Sequence, residues 1–311
     1  MGAAQSGVAG EELSPIRQNL IRPSLVRPVT GSGVRSGRPG RAAPPRPNLL
    51  WTVPGMPRSF PSVETEVARP ALVVIAHGSR DPRHAATVHA LVARVRAMRP
   101  GLRVTSGFLD FDLPSVTGAL GSLAAQGVRE IVAQPLLLGR AYHAKADIPA
   151  VLRRASASPG VPAAGAWGGI RQADVLGPAP LLTTALQRRL EEAGITPGDR
   201  ASTGVVLAAA GSTDPEAIAV IDDMAHRWQR SGWYAVRPAF ASATSPLTGV
   251  PGTAEAVRRL RAEGARRVAV APYVLAPGRL GDRIARGAAE AGADVLAAVL
   301  GPSPEVARVV L

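Results

Sequence analysis

Two stretches of the chain nearly repeat one another: IAHGSRDP at residues 75–82 and AAAGSTDP at residues 208–215. Each joins an apolar run to a Gly-Ser turn and then an Asp-Pro pair. Asp followed by Pro starts helices, because the carboxylate caps free backbone N–H groups and proline is pre-shaped for the first helical position. A second match is longer. LAAQGVREIVAQPLLL (123–138) aligns without gaps to LRAEGARRVAVAPYVL (260–275), with Leu123, Gly127, Arg129, Pro135 and Leu138 matching Leu260, Gly264, Arg266, Pro272 and Leu275. A duplicated strand–turn–helix pattern narrows the fold to two similar halves built on parallel strands.

The alternation supports this. ALVVIA (71–76) is a continuous apolar run, as a strand buried on both faces requires. A helix is predicted over 83–98, with Val88, Leu91, Val95 and Met98 on one face. Strands follow at 102–109, 129–138 and 161–167, and helices at 115–126, from 147 and at 179–193. The order then restarts, with strands at 205–210, 234–241, 266–275 and 293–300 and helices from 214 to about 230, at 253–263 and at 280–291, before a last short helix. The expected fold class is α/β: two tandem βαβα half-domains, each a parallel four-stranded sheet flanked by helices, with a cleft between them. The expected boundaries are 70–193, a linker at 194–203, and 204–311.

Residues 1–69 are rich in Pro, Gly, Ser and Arg without periodicity and are expected to be disordered. Met56 offers a second start, so translation of residues 1–55 is an open point. No long apolar run free of charge or breaks suggests a membrane span. Cysteine is absent, which excludes disulfides and thiolate metal sites and fits a reducing cytoplasm, the expected location. The formal charge is +13, of which +5 lies in the tail and +8 in the body. A basic body favours acidic partners. No nucleic-acid motif or aromatic platform accompanies it, so nucleic acid is not an expected partner.

In parallel α/β folds ligands bind at the carboxyl ends of strands. His77 falls there directly after the first strand, and His143 in the loop after the third. Either can be read as an ordinary loop residue or as a metal ligand. Together they suit Fe, Co, Ni or Zn in an open, two-ligand site fit to hand its metal on. His84, His89 and His226 fall within predicted helices and read as surface or packing residues. Asp110 and Asp112, after the second strand, are candidate proton acceptors or loop caps. Arg80, Arg140 and Lys145 flank the histidines and are candidates for carboxylate binding, or solvated charges. Ser79 reads chiefly as a loop-shaping hydrogen bonder, with a substrate contact as the alternative.

AHGSRDP, GFLDFDLPSV (107–116) and QPLLLGRAYHAKADIP (134–149) together resemble the sirohydrochlorin chelatase family, class II chelatases of the CbiX/SirB type. The resemblance covers about residues 70–311. It implies a lyase-type chelatase that inserts a divalent metal into sirohydrochlorin and releases two protons. Fe²⁺ would give sirohaem and Co²⁺ a cobalamin precursor, with Ni²⁺ as a further candidate. The metal is then a substrate and no cofactor is permanently bound. By motif match it implies that His77 and His143 hold the metal. A non-catalytic carrier of metal or tetrapyrrole on the same scaffold is the competing reading.

The second half departs from this pattern. His77 corresponds to Ala210, and His143 to about Arg279. This half is expected to close the cleft, with Arg279 and Arg283 contacting substrate carboxylates. A monomer whose two halves mimic a dimer follows.

Overall fold

The computed structural model describes residues 70–139, 146–165, 169–242 and 251–311. The expected disordered tail, and the segment holding Arg140, His143 and Lys145, lie outside the described residues. The first half runs β1 (Ala71–Ala76), α1 (Pro82–Met98), β2 (Val104–Phe108), α2 (Val116–Ala125), β3 (Ile131–Pro135), α3 (Ile148–Ser156), β4 (Ile170–Gln172) and α4 (Pro180–Glu192). A 3₁₀ turn at Pro197–Ser202 leads into the second: β5 (Thr203–Ala209), α5 (Pro215–Gln229), β6 (Ala235–Phe240), α6 (Thr253–Ala262), β7 (Arg267–Tyr273), α7 (Arg279–Glu290), β8 (Val295–Leu296) and α8 (Pro304–Val310).

Each half is a four-stranded parallel sheet, ordered β2-β1-β3-β4 and β6-β5-β7-β8. The central strands β1 and β5 are buried along their whole length, which is why both are unbroken apolar runs. The repeated Asp-Pro pairs act as anticipated. Asp81 accepts from the Arg83 N–H and Asp214 from the Glu216 N–H, at the starts of α1 and α5. Ahead of them the Ser79 and Ser212 hydroxyls accept from the N–H groups of Asp81 and Asp214, at 3.1 and 3.0 Å.

The edge strands differ from expectation. The fourth strand, predicted at 161–167, is β4 at 170–172. Among the described residues upstream of it, only Ala164 makes an isolated bridge, to Ile170. The chain folds back instead: the Gly165 N–H donates to the Ile170 carbonyl, and the Ile170 N–H to the Ala163 carbonyl. Ile170 alone of β4 is buried, so an edge strand with two exposed polar residues carries no apolar run to detect. β8, predicted over 293–300, shrinks to Val295–Leu296, because the apolar run continues past the residues that pair as a strand and keeps Ala297 and Leu300 buried.

The two halves are joined through one core rather than facing each other across an open gap. One apolar cluster takes Leu72, Val74 and Ala76 from β1, Val205 and Leu207 from β5, and the inner faces of α1, α4, α5 and α8. The opposite sheet faces are covered by α2 and α3 in the first half and by α6 and α7 in the second. The layers therefore run helix, sheet, shared helices, sheet, helix. The first-half helix α4 packs on the second-half helix α8.

Within that seam Glu305 is 1% exposed and accepts from the Arg188 guanidinium at 2.5 and 3.0 Å. Burial alone would raise the Glu305 pKa. The hydrogen bonds and charge of Arg188 outweigh it and hold the carboxyl below its usual value of 4.5. A depressed folded-state pKa contributes stability above the unfolded value and loses it as pH falls through the folded one. Glu305→Gln is therefore expected to melt below the native protein at pH 7, with the gap closing as pH drops below about 4.5. A gap in melting temperature that stays constant from pH 7 to pH 4 would refute this role for the pair.

Among the described residues no helix is long and apolar enough to cross a membrane.

Candidate metal and substrate site

His77 stands one residue beyond β1, and its position is set by the backbone around it. The Leu109 N–H donates to the Ala76 carbonyl at 3.0 Å, and the Asp110 N–H to the His77 carbonyl at 2.9 Å. These bonds carry the β1–β2 pairing past the strand ends and hold the β1–α1 and β2–α2 loops together. Gly78, with φ +93°, lies under this junction. A Cβ there would sit 1.7 Å from the Asp110 carbonyl oxygen, so only glycine fits. The Ser79 N–H adds a third tie, to Asp112 Oδ2 at 2.9 Å. The His77 side chain is exposed, with Nδ1 3.3 Å from the Gly78 carbonyl oxygen.

The sequence-derived carboxylates both fall here. Asp110 is exposed, and its Oδ1 accepts from the Phe111 N–H at 2.8 Å. Asp112 is half-buried and already engaged by Ser79. The Ser79 hydroxyl accepts from the Asp81 N–H at the start of α1 and so shapes the loop. Arg80 is exposed and places its guanidinium 5.3 Å from the centre of the Phe111 ring.

The second half repeats the framework without His77 or Asp110. The Ala241 N–H donates to the Ala209 carbonyl and the Ser242 N–H to the Ala210 carbonyl, at 2.9 and 3.0 Å. Ala210 thus stands where His77 does, and Ser242 where Asp110 does. This third loss was not visible in the sequence, because the loops after β2 and β6 differ in length. Arg279 is the exposed first residue of α7. Arg283 is turned inward enough to donate to the Ala241 carbonyl at 3.1 Å, which commits it to the end of β6. Between the halves Arg83 bridges its own helix cap, Asp81, and Asp282 on α7, at 2.6 and 2.9 Å. Arg83 and Asp282 are both half exposed, so the pair orients the helix starts more than it stabilises them.

His84 was read as a surface or packing residue, and its surroundings are more particular than that. It lies on the first turn of α1, with Nδ1 buried, lacking a hydrogen-bond partner and 4.0 Å from Asp112 Oδ2. Burial pushes its pKa below the usual histidine value, against the pull of the Asp112 charge. It lines a cavity of about 30 Å³ with Ala76, Leu136, Leu275, Ala276 and Gly301. The wall joins strand ends of both halves. The volume suits a water or two and no macrocycle. A larger cavity of about 240 Å³ lies beside the edge strand β6, between α5 and α6. Its cations Arg237 and Arg259 pair with Glu263 and Glu255, and His77 does not line it.

Among the described residues no three His, Asp or Glu side chains converge as a metal site. A histidine pair would require His143, which lies outside them with Arg140 and Lys145.

Both halves separately match one family model, CbiX, over residues 71–193 and 204–311. The chain belongs to the CbiX family. Among curated CbiX relatives, the sirohydrochlorin cobaltochelatase of Priestia megaterium is 26% identical over 220 residues, covering 69% of this chain and 67% of that protein. The sirohydrochlorin cobaltochelatase of Methanococcoides burtonii is 33% identical over 82 residues, covering 26% of this chain and 63% of that protein. Of solved structures, SirB from Bacillus subtilis with Fe³⁺ superimposes with a TM-score of 0.65 at 23% identity, over 78% of this chain and 92% of that one. CbiX, described as the terminal enzyme for biosynthesis of siroheme in denitrifying bacteria, gives a TM-score of 0.57 at 21% identity, over 77% and 96%. These two structures share the CbiX fold seen here: paired parallel sheets flanked by helices.

Proposed function

We propose that this CbiX chain is a metal chelatase that inserts a divalent metal, Fe²⁺ or Co²⁺, into sirohydrochlorin. The observation that carries this reading is His77: an exposed imidazole at the carboxyl end of a central strand, on a backbone held at three points, in the one half that keeps it. Family membership and relatives named for cobaltochelatase activity support the substrate.

Metal insertion requires a ligand that binds the ion and then releases it, and a place for two pyrrole protons. His77 and His143 supply a nitrogen pair that can hold the ion and give it up as the macrocycle's nitrogens take their place. The protons leave the pyrrole N–H bonds as the metal–nitrogen bonds form. Asp110, exposed beside His77, is the better placed of the two carboxylates to receive them, since Asp112 is half-buried. Arg80 and Arg279, with Arg140 and Lys145, are the cations for the substrate's carboxylates. The second half, lacking His and Asp at the matching points, acts as a wall. The core shared between the halves supports a monomer whose halves stand in for a dimer.

The test is anaerobic incubation of the full chain with sirohydrochlorin and Fe²⁺, Co²⁺ or Ni²⁺ in turn, followed by absorbance. Insertion faster than the protein-free rate is expected, and the rates rank the metals the chain accepts. Metal bound without any insertion would support a carrier instead and overturn the enzyme reading.

A further inference from the structure

The loop between β2 and α2 holds two large apolar side chains out in water beside His77. Phe111 is 53% exposed and Leu113 80% exposed, while the large apolar residues nearby, such as Phe108 and Val116, are buried. Phe111 also has φ +61° and is the only non-glycine residue with positive φ among the described residues. A bulky side chain disfavours that region by about 1–3 kcal/mol, and such outliers persist where the surroundings force them and cluster at ligand sites. Here the forcing contacts are those that set His77. The Asp110 N–H is tied to the His77 carbonyl, and the Asp112 side chain to the Ser79 N–H. Residue 111 is pinned between them. Arg80 then lies against the Phe111 ring rather than against a carboxylate.

We infer that Phe111, with Leu113, is the apolar platform on which the flat macrocycle rests. This inference rests on the chelatase reading and adds the residues that take the ligand's face. The chemistry matches the pattern. A conjugated macrocycle with a carboxylate rim has apolar faces and an anionic edge. It calls for an apolar plate with cations at its border, next to the group that delivers the metal. Phe111 and Leu113 form the plate, Arg80 is the border cation, and His77 is one hydrogen-bonded backbone step away. Ligand binding moves Arg80 from the Phe111 ring to a rim carboxylate and places the macrocycle's face against the ring. The cation–π contact of the free protein is thus exchanged for an ion pair.

Phe111→Gly separates this role from a structural one. Glycine adopts positive φ without strain, so the variant is expected to melt no lower than the native chain. Its dissociation constant for metal-free sirohydrochlorin, read by fluorescence quenching, is expected to rise about tenfold, the scale of losing one stacked ring. Co²⁺ affinity without macrocycle should not change. Phe111→Trp should retain the native dissociation constant within about twofold. Native sirohydrochlorin affinity in Phe111→Gly would overturn the platform while leaving the chelatase reading intact. A native chain that binds no sirohydrochlorin would overturn both.

Discussion

His77→Ala is expected to remove metal insertion while leaving the fold in place. The substituted side chain is exposed, and the contacts that shape its loop run through the backbone of Ala76, His77 and Ser79, which alanine retains. Melting temperature should therefore change little. Activity should fall by about a hundredfold or more, since removal of groups that merely orient a ligand already costs about 10–100-fold. The second half shows that the scaffold accepts the change: Ala210 sits at the matching point with the same pairing to its neighbouring loop. The check is the anaerobic insertion rate, alongside Co²⁺ titration of the protein alone. A His77→Ala protein that inserts metal at the native rate would place the chemistry elsewhere.

Gly78→Ala is expected to cause the largest loss of stability from a single methyl group. Two costs add. Alanine at φ +93° meets the backbone penalty of about 1–3 kcal/mol. Its Cβ would also fall 1.7 Å from the Asp110 carbonyl oxygen, and forcing backbone apart costs about 1–3 kcal/mol more. A fall in melting temperature on the order of 10 °C follows for a body of this size. Gly121→Ala is the matched control with the opposite sign. Gly121 lies inside α2, and a Cβ there meets nothing within 4 Å. Alanine should stabilise that helix by about 0.5–1 kcal/mol. Calorimetry on both variants checks the pair. A Gly78→Ala protein melting within a degree of native would show that the two loops are not locked as described.

Much of the fold was legible because its signals are local. β1 and β5 are apolar throughout since they are covered on both faces, and that appears directly in ALVVIA and VVLAAA. The Asp-Pro starts of α1 and α5 depend on one side chain and the next two residues. β4 was misplaced because a single buried residue leaves almost no pattern, and β8 was overextended because its apolar run continues past the two residues that pair. The match of LGPAP (176–180) to LGPSP (300–304), which opens α4 and α8, went unnoticed because it lies in loops. His77 was found through its motif and its position after a strand. His84 was passed over, since a helix position says nothing about what covers the first turn.

The sequence by itself determined that there are two halves, that each is a parallel sheet with helices, and that one half alone carries the imidazole after its first strand. These follow from periodicity, repetition and the chemistry of single residues. The tertiary structure decided how the halves meet. α1, α4, α5 and α8 each show one apolar face, and that face does not reveal that it is shared between two sheets. Nor does it show that Glu305 is sealed against Arg188 across the seam. The structure also decided that Phe111 stands in water in a strained conformation beside His77. That depends on hydrogen bonds between loops about thirty residues apart in the chain, which no local pattern encodes.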